Sequence, residues 1–224
     1  MMDWRAFALS LELATWTMLI LLPAGIFLGR VLAWHRFRGK PLVEAALALP
    51  LVLPPTVLGF YLLMVFGAGS PLGQVYQSVF GRTLVFSFEG LLLASVIFNL
   101  PFAIQPMQRA FEAIAPEVRD AAACCGLSRI RMLWRIELPL AWPGVLSGLV
   151  LTFAHTLGEF GVVLMVGGSI PGETRTIAIS IYDSVQGFDT ASAGIMSATL
   201  LVTSLVAIAT TYWSGRARYG SQHV

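Results

Sequence analysis

The sequence predicts an all-α membrane protein with five transmembrane helices, and three observations lead to this prediction. Of the 224 residues, 57% are hydrophobic and only 12% are charged, whereas soluble proteins carry about 25% charged residues. The apolar residues fall into five runs, each near the roughly 20 residues that a helix needs to cross a bilayer. The basic residues gather between alternate runs. The runs cover residues 13–34, 42–66, 88–107, 140–167 and 191–213.

The distribution of Lys and Arg predicts the orientation of the chain, because loops on the cytoplasmic side of a membrane are enriched in these residues. With five spans, eleven of the 14 basic residues lie on one side, and only Arg5, Arg82 and Arg175 lie on the other. We therefore expect a periplasmic N-terminus and a cytoplasmic C-terminus, closed by Arg216 and Arg218. The length leaves little room for a soluble domain, so residues 1–224 are interpreted as a single transmembrane domain.

The runs themselves are not uniform. The second run contains Pro50, Pro54 and Pro55, and since each proline removes a backbone hydrogen bond, we expect this helix to be bent or broken. Residues 67–84 are rich in Gly, Ser and Pro and are interpreted as an outer loop, and residues 177–185 as a short helix in a second outer connection.

A charged segment, residues 108–139, separates the third and fourth runs. Pro116 suits the first turn of a short helix, and Gly126 can adopt the left-handed conformation that ends one. Ser128 can cap a second helix, which we expect to end at Pro139 because proline cannot donate the next hydrogen bond. The segment therefore predicts two short helices that meet at a glycine.

This segment resembles the cytoplasmic coupling loop of bacterial ABC import permeases. That loop carries Glu-Ala-Ala, three residues, Gly, nine residues, and then Ile-x-Leu-Pro. Aspartate replaces the leading glutamate here, which keeps the charge on a shorter side chain. Without the complete spacing, an ordinary amphipathic connector would explain the pattern. The matching residues are Asp120, Ala121, Ala122, Gly126, Ile136, Leu138 and Pro139.

Three further segments are similar to molybdate permeases: PLVLPPTVLG at 50–59, LGEFG at 157–161 and IPGETRT at 170–176. The resemblance implies a MetI-like ABC permease architecture and a permease subunit that carries molybdate across the bacterial inner membrane. Sulfate and tungstate are the alternative substrates. The implied partners are two ATPase subunits at the coupling loop and a periplasmic oxyanion-binding protein. From its size, we also expect the chain to pair with a second copy of itself within the lipid.

The fourth run has a stripe of small and polar residues at helical spacing, which indicates either close packing or a face toward water. A carboxylate within hydrocarbon is costly, so Glu159 is expected at a cavity or beside a partner. His155 is interpreted as a structural hydrogen-bonded pair with Glu159, with a proton relay as the alternative. The stripe consists of Gly144, Gly148, Thr152, Thr156 and Glu159.

An oxyanion path in this chain would rely on weak contacts, because no span carries a central Lys or Arg and hydroxyls, amides and backbone N–H groups remain. The candidate path residues are Thr56, Asn99, Thr152 and Glu159. No catalytic residue, cofactor or metal site is expected. Cys124 and Cys125 are adjacent and are interpreted as two small packed side chains.

Other function classes lack their usual motifs. Gly39-Lys40 is followed by proline and lacks the glycines of a phosphate-binding loop, and neither His-Glu-x-x-His nor Gly-x-Ser-x-Gly occurs. The scattered basic residues do not suggest nucleic acid. A secondary carrier that works alone, or a membrane enzyme, is the alternative from a different class.

Overall fold

The computed structural model describes residues 1–219, with side chains described for residues 1–209. Arg216 and Arg218, which the sequence places at the inner end of the last span, lie outside the described side chains. All regular elements of the described chain are helices. They are α1 Trp4–Trp34, α2 Lys40–Val52, α3 Pro55–Phe66, α4 Pro71–Phe80, α5 Phe88–Glu112, α6 Pro116–Cys124, α7 Arg129–Met132, a π-helical turn Leu133–Glu137, α8 Leu138–Leu157, α9 Gly161–Gly167, α10 Ile177–Gln186 and α11 Thr190–Tyr219.

Four helices of the described chain are long and apolar enough to cross a membrane, and the bent pair α2–α3 makes a fifth span if it is counted as one. The fold is therefore that of a multi-pass membrane protein, and the predicted fold class is confirmed. The first helix begins at Trp4, ahead of the predicted residue 13, because Asp3 caps it by accepting a 3.0 Å hydrogen bond from the backbone N–H of Ala6.

The centre of the bundle is formed by α1, α5 and α8, which approach one another through glycines. A Cβ atom added to Gly25 of α1 would lie 2.7 Å from the sulfur of Met107 on α5. One added to Gly144 of α8 would lie 2.3 Å from the Cβ of Ala110 on α5. Membrane helices pack closely through such small residues. The glycines of the predicted stripe therefore serve packing.

Two helices are interrupted. The bend between α2 and α3 is 112° and lies at Pro54, as the prolines of this run predict. The second interruption separates α8 from α9 at residues 158–160, within a run that the sequence analysis treats as continuous from 140 to 167. That part of the prediction is wrong. Gly161 at the start of α9 packs on Pro55, the first residue of α3, and a Cβ added to it would lie only 2.8 Å from the Cβ of Pro55.

The charged segment has the predicted cap residues but a different end. Pro116 lies in the first turn of α6, Gly126 has a φ of +74°, and the hydroxyl of Ser128 accepts a hydrogen bond from the N–H of Arg131. Pro139 does not end the second helix, so that prediction is wrong. The chain passes through the π-helical turn into α8, so Pro139 lies inside one continuous helical stretch, Arg129–Leu157. A local π-helical adjustment is one way in which a membrane helix accommodates a proline.

The two connections that the sequence predicts to be outer differ in part from the prediction. Helix α4 lies within the segment interpreted as a loop, where Ser70 caps it and Pro71 begins it. A Ser-Pro pair is typical both of turns and of helix starts, so the sequence alone does not distinguish them. The predicted helix at 177–185 is confirmed as α10. The third span continues to Glu112, beyond the predicted residue 107.

The charged segment and α10 lie at opposite ends of the bundle. The hydroxyl of Ser10, near the start of α1, accepts a 2.8 Å hydrogen bond from the N–H of Ile177. At the other end of α1, the ring of Trp34 lies 3.9 Å from the guanidinium carbon of Arg119 on α6. One end of the bundle therefore carries α10 and the other carries α6.

Candidate functional site

The two helix interruptions face each other across a cavity of about 530 Å³. The cavity is lined by residues from three places: Pro55 and Thr56 at the start of α3, Phe98 of α5, and Ala154, His155 and residues 158–161 at the end of α8 and the interruption that follows. Irregular backbone within a membrane protein is tolerated where it lines a cavity. This cavity is therefore a place in the described chain where a polar solute can meet backbone groups that no helix occupies.

Glu159 is the buried acid at this cavity, with only 4% of its surface exposed. Its Oε2 accepts hydrogen bonds from the hydroxyl of Ser95 at 2.9 Å and from Nδ2 of Asn99 at 3.2 Å. Its Oε1 has no hydrogen-bond partner among the described residues. A buried polar atom without a partner is costly, so Oε1 would gain from a donor that a rearrangement of the cavity brought to it.

Asn99 joins Glu159 to His155. Nδ2 of Asn99 also donates to the carbonyl of Ser95 at 2.9 Å, which fixes the amide so that Oδ1 faces Nδ1 of His155 at 3.0 Å. Nδ1 of His155 must then carry a proton, because Oδ1 only accepts. The expected direct pair of His155 and Glu159 is therefore wrong: the two side chains are connected through Asn99.

The four predicted path residues have different surroundings. Thr56 and Glu159 line the same cavity, and Asn99 lies directly behind Glu159. Thr152 is fully buried and does not line this cavity, and its hydroxyl has no hydrogen-bond partner among the described residues. Ser95 was not predicted, although it lies four residues before Asn99 and hence on the same helical face. That spacing was the signal that would have identified it.

The charged segment presents an apolar surface to solvent. Ile130 is 72% exposed and Trp134 is 64% exposed, and of the nine residues of α6 only Ala122 is buried. Asp120 and Ala121 are exposed beside them. Cys124 and Cys125 are also exposed, so the prediction that they are packed is wrong for this chain. An exposed apolar surface of this kind is typical of a protein interface.

Glu137 lies behind this surface and was not predicted. It is fully buried, and it forms ion pairs with Arg30 of α1 at 2.5 Å and with Arg119 of α6 at 3.0 Å. Sequence analysis missed it because Glu137 occupies the variable position of the Ile-x-Leu-Pro motif. Its partners, Arg30 and Arg119, are interpreted from the sequence only as positive charges of the inner loops.

Comparisons with known proteins agree with these observations. Residues 22–218 match the family described as "Binding-protein-dependent transport system inner membrane component". The chain is 44% identical over 218 residues to the molybdenum transport system permease protein ModB of Azotobacter vinelandii, covering 97% of this chain and 96% of that protein. A probable sulfate transport system permease protein of Chlorella vulgaris is 30% identical over 200 residues, covering 89% of this chain and 75% of that protein.

The fold also has a counterpart among solved structures. The crystal structure of a bacterial alginate ABC transporter, in complex with alginate pentasaccharide-bound periplasmic protein, superposes with a TM-score of 0.77 at 19% identity. The match covers 97% of this chain and 79% of that chain. The arrangement of helices is therefore shared across very different sequences.

Proposed function

This chain belongs to the family of binding-protein-dependent transport system inner membrane components, and from that premise we propose that it is the permease subunit of an ATP-driven importer for molybdate. The observation that carries the proposal is the 44% identity to a molybdenum transport permease over nearly the whole of both chains. The chain is then a transport component that spans the membrane several times, and a partner supplies ATP hydrolysis.

The partners follow from the two ends of the bundle. The exposed surface around Ile130 and Trp134 is suited to a pair of cytoplasmic ATPase subunits, which would contact the helices on both sides of Gly126. The end that carries α10 is then periplasmic and receives the oxyanion-binding protein. A second copy of the chain completes the path, and residues 1–224 act as one transmembrane domain.

In this mechanism, ATP draws the ATPase subunits together and moves the charged segments with them. The paired permeases then change from an inward-open to an outward-open state while the loaded binding protein is docked, and hydrolysis restores the first state. Each state has a different affinity for the partners, and that difference drives the cycle.

The cavity between the helix interruptions is the proposed path site. Helix α3 begins there, and the start of a helix is electrically positive, which favours an anion. Thr56 and Glu159 line the same cavity. The hydroxyl of Thr56 can donate to an oxyanion, whereas Glu159 can do so only when its carboxyl is protonated, because a carboxylate repels an anion. No Lys or Arg lines it, so contacts are weak and release remains possible. Thr152 stays a prediction as a path residue, which requires a state in which α8 has moved.

The experiment is reconstitution of the permease with its ATPase and binding protein in liposomes. We expect ATP-dependent uptake of labelled molybdate, and the matched control omits the ATPase. Uptake without the ATPase would contradict the importer and favour a carrier that works alone. Competition with unlabelled sulfate and tungstate separates the alternative substrates. We expect sulfate to compete weakly, because the sulfate permease relative is less similar to this chain than the molybdenum permease. Stronger uptake of sulfate than of molybdate would reassign the substrate.

A further inference from the structure

We propose that Glu137 is a positioning residue that passes movement of helix α6 to both α1 and α8. The inference rests on the proposed importer function and concerns how movement of the ATPase subunits is coupled to the membrane bundle. It starts from one arrangement: a fully buried carboxylate that joins three elements at the ATPase-facing end of the bundle.

The geometry makes Glu137 the shared partner of two helices. Its Oε2 lies 2.5 Å from Nε of Arg30, near the end of α1, and its Oε1 lies 3.0 Å from Nε of Arg119 on α6. The second guanidinium nitrogen of Arg30 also donates to Oε1, at 3.3 Å. Both carboxylate oxygens are thus occupied, one mainly by each helix. Glu137 cannot follow α6 without also acting on α1.

Helix α6 has little other attachment to the bundle. Only Ala122 of its nine residues is buried. The polar and aromatic side-chain contacts described between α6 and the bundle are both made by Arg119, with Glu137 and with the ring of Trp34. Both of these targets lie on the membrane bundle or directly before it. A displacement of α6 by an ATPase is therefore transmitted through Arg119.

The position of Glu137 in the backbone connects the same displacement to α8. Glu137 is the last residue of the π-helical turn, and α8 begins at the next residue. Turns of this kind are frequent at functional sites, where the hydrogen-bond pattern of a helix changes. A buried charge that loses one partner is strongly unfavourable, so the three side chains are expected to move together.

The test is the amount of molybdate taken up per ATP hydrolysed by the complete reconstituted complex. We expect Glu137→Gln to retain bound ATPase and hydrolysis while uptake per ATP falls about tenfold, within the range that mutations in coupling networks produce. Glu137→Asp keeps the charge and should recover part of the loss. The control is Glu89→Gln, which removes an exposed ion pair with Arg82 away from this cluster and should leave the ratio unchanged.

A second variant keeps the test decisive if Glu137→Gln does not fold. The double variant Glu137→Gln with Arg119→Gln removes the charge on α6 as well and leaves only Arg30, which is partly exposed, without its carboxylate. It should show the same loss of coupling. An unchanged uptake per ATP in an assembled variant would overturn the inference, and so would failure of every variant to assemble, which would assign Glu137 to folding. Absence of ATP-dependent uptake by the wild-type complex would instead contradict the proposed function.

Discussion

Two buried glutamates show what a sequence reveals about single residues. Glu159 is detectable because it is an isolated acid in an apolar run. Glu137 is not, since its partners are 107 and 18 residues away and only the fold brings them together. The two acids also differ in environment. Two arginines form ion pairs with Glu137. One carboxylate oxygen of Glu159 accepts hydrogen bonds from a hydroxyl and an amide, and the other has no partner among the described residues.

Removing the carboxylate of Glu159 should impair uptake more than assembly. Glu159→Ala removes the acceptor shared by the hydroxyl of Ser95 and the amide of Asn99, but Nδ2 of Asn99 keeps the Ser95 carbonyl, so the loss of stability is limited to about 1–3 kcal/mol. Glu159→Gln keeps an acceptor for them and should retain more uptake. The measurement is molybdate uptake normalised to assembled complex. Glu12→Ala, which removes an exposed acid on α1, is the control, and normal uptake by Glu159→Ala would place the residue outside the path.

Close packing of the central helices makes opposite predictions for two glycines. Gly144→Ala would put a Cβ 2.3 Å from Ala110 and should destabilise the protein by about 1–3 kcal/mol. Gly194→Ala on α11 meets nothing within 4 Å and should be neutral or stabilising by up to about 1 kcal/mol, since alanine favours the helix. Thermal unfolding in detergent measures both. A melting temperature for Gly144→Ala at or above that of Gly194→Ala would contradict the packing.

At the scale of the elements, local signals predicted some helix ends, and the others differ from the prediction. The prolines before α3 and the Ser128 cap act within a few residues, so the sequence could identify them. The interruption between α8 and α9 has no proline, and it lies where Gly161 approaches Pro55 too closely for a Cβ to fit. The π-helical turn before Pro139 likewise has no local signature that distinguishes it from the end of a helix.

The turn at Gly126 should be essential for binding the ATPase. Its φ of +74° is unfavourable for residues with a Cβ, by about 1–2 kcal/mol and more for a β-branched one. Gly126→Val should therefore disturb the angle between α6 and α7 and abolish ATPase co-purification without affecting membrane insertion. Gly126→Asn should bind normally, since asparagine tolerates this conformation.

Gly39 provides a matched control for this substitution. It also has a positive φ, of +95°, and a Cβ there meets nothing within 4 Å, but it lies outside the charged segment. Gly39→Val imposes a similar backbone cost and should retain ATPase binding. Normal co-purification of the ATPase with Gly126→Val would show that the turn is not part of the interface.

For the whole molecule, composition and the positions of the charges were enough to predict a polytopic helical bundle. They were not enough to predict how its interruptions meet, because the cavity is built from residues near positions 55, 98 and 159. The substrate class likewise depends on similarity to molybdenum permeases rather than on any charged group at the cavity. The coupling proposals depend on which side of the membrane the charged segment faces, and the native cysteines of that segment allow this to be tested.

Cys124 and Cys125 are the two cysteines of the sequence, and both are exposed next to Gly126. A membrane-impermeant maleimide should therefore label the wild-type permease in inside-out vesicles and not in right-side-out vesicles, and bound ATPase should reduce the labelling. A cysteine-free variant provides the background control. Glu173→Cys in that background places an exposed thiol in the segment before α10 and should give the opposite pattern. Labelling of the native cysteines from the periplasmic side would exclude contact with a cytoplasmic ATPase at this segment.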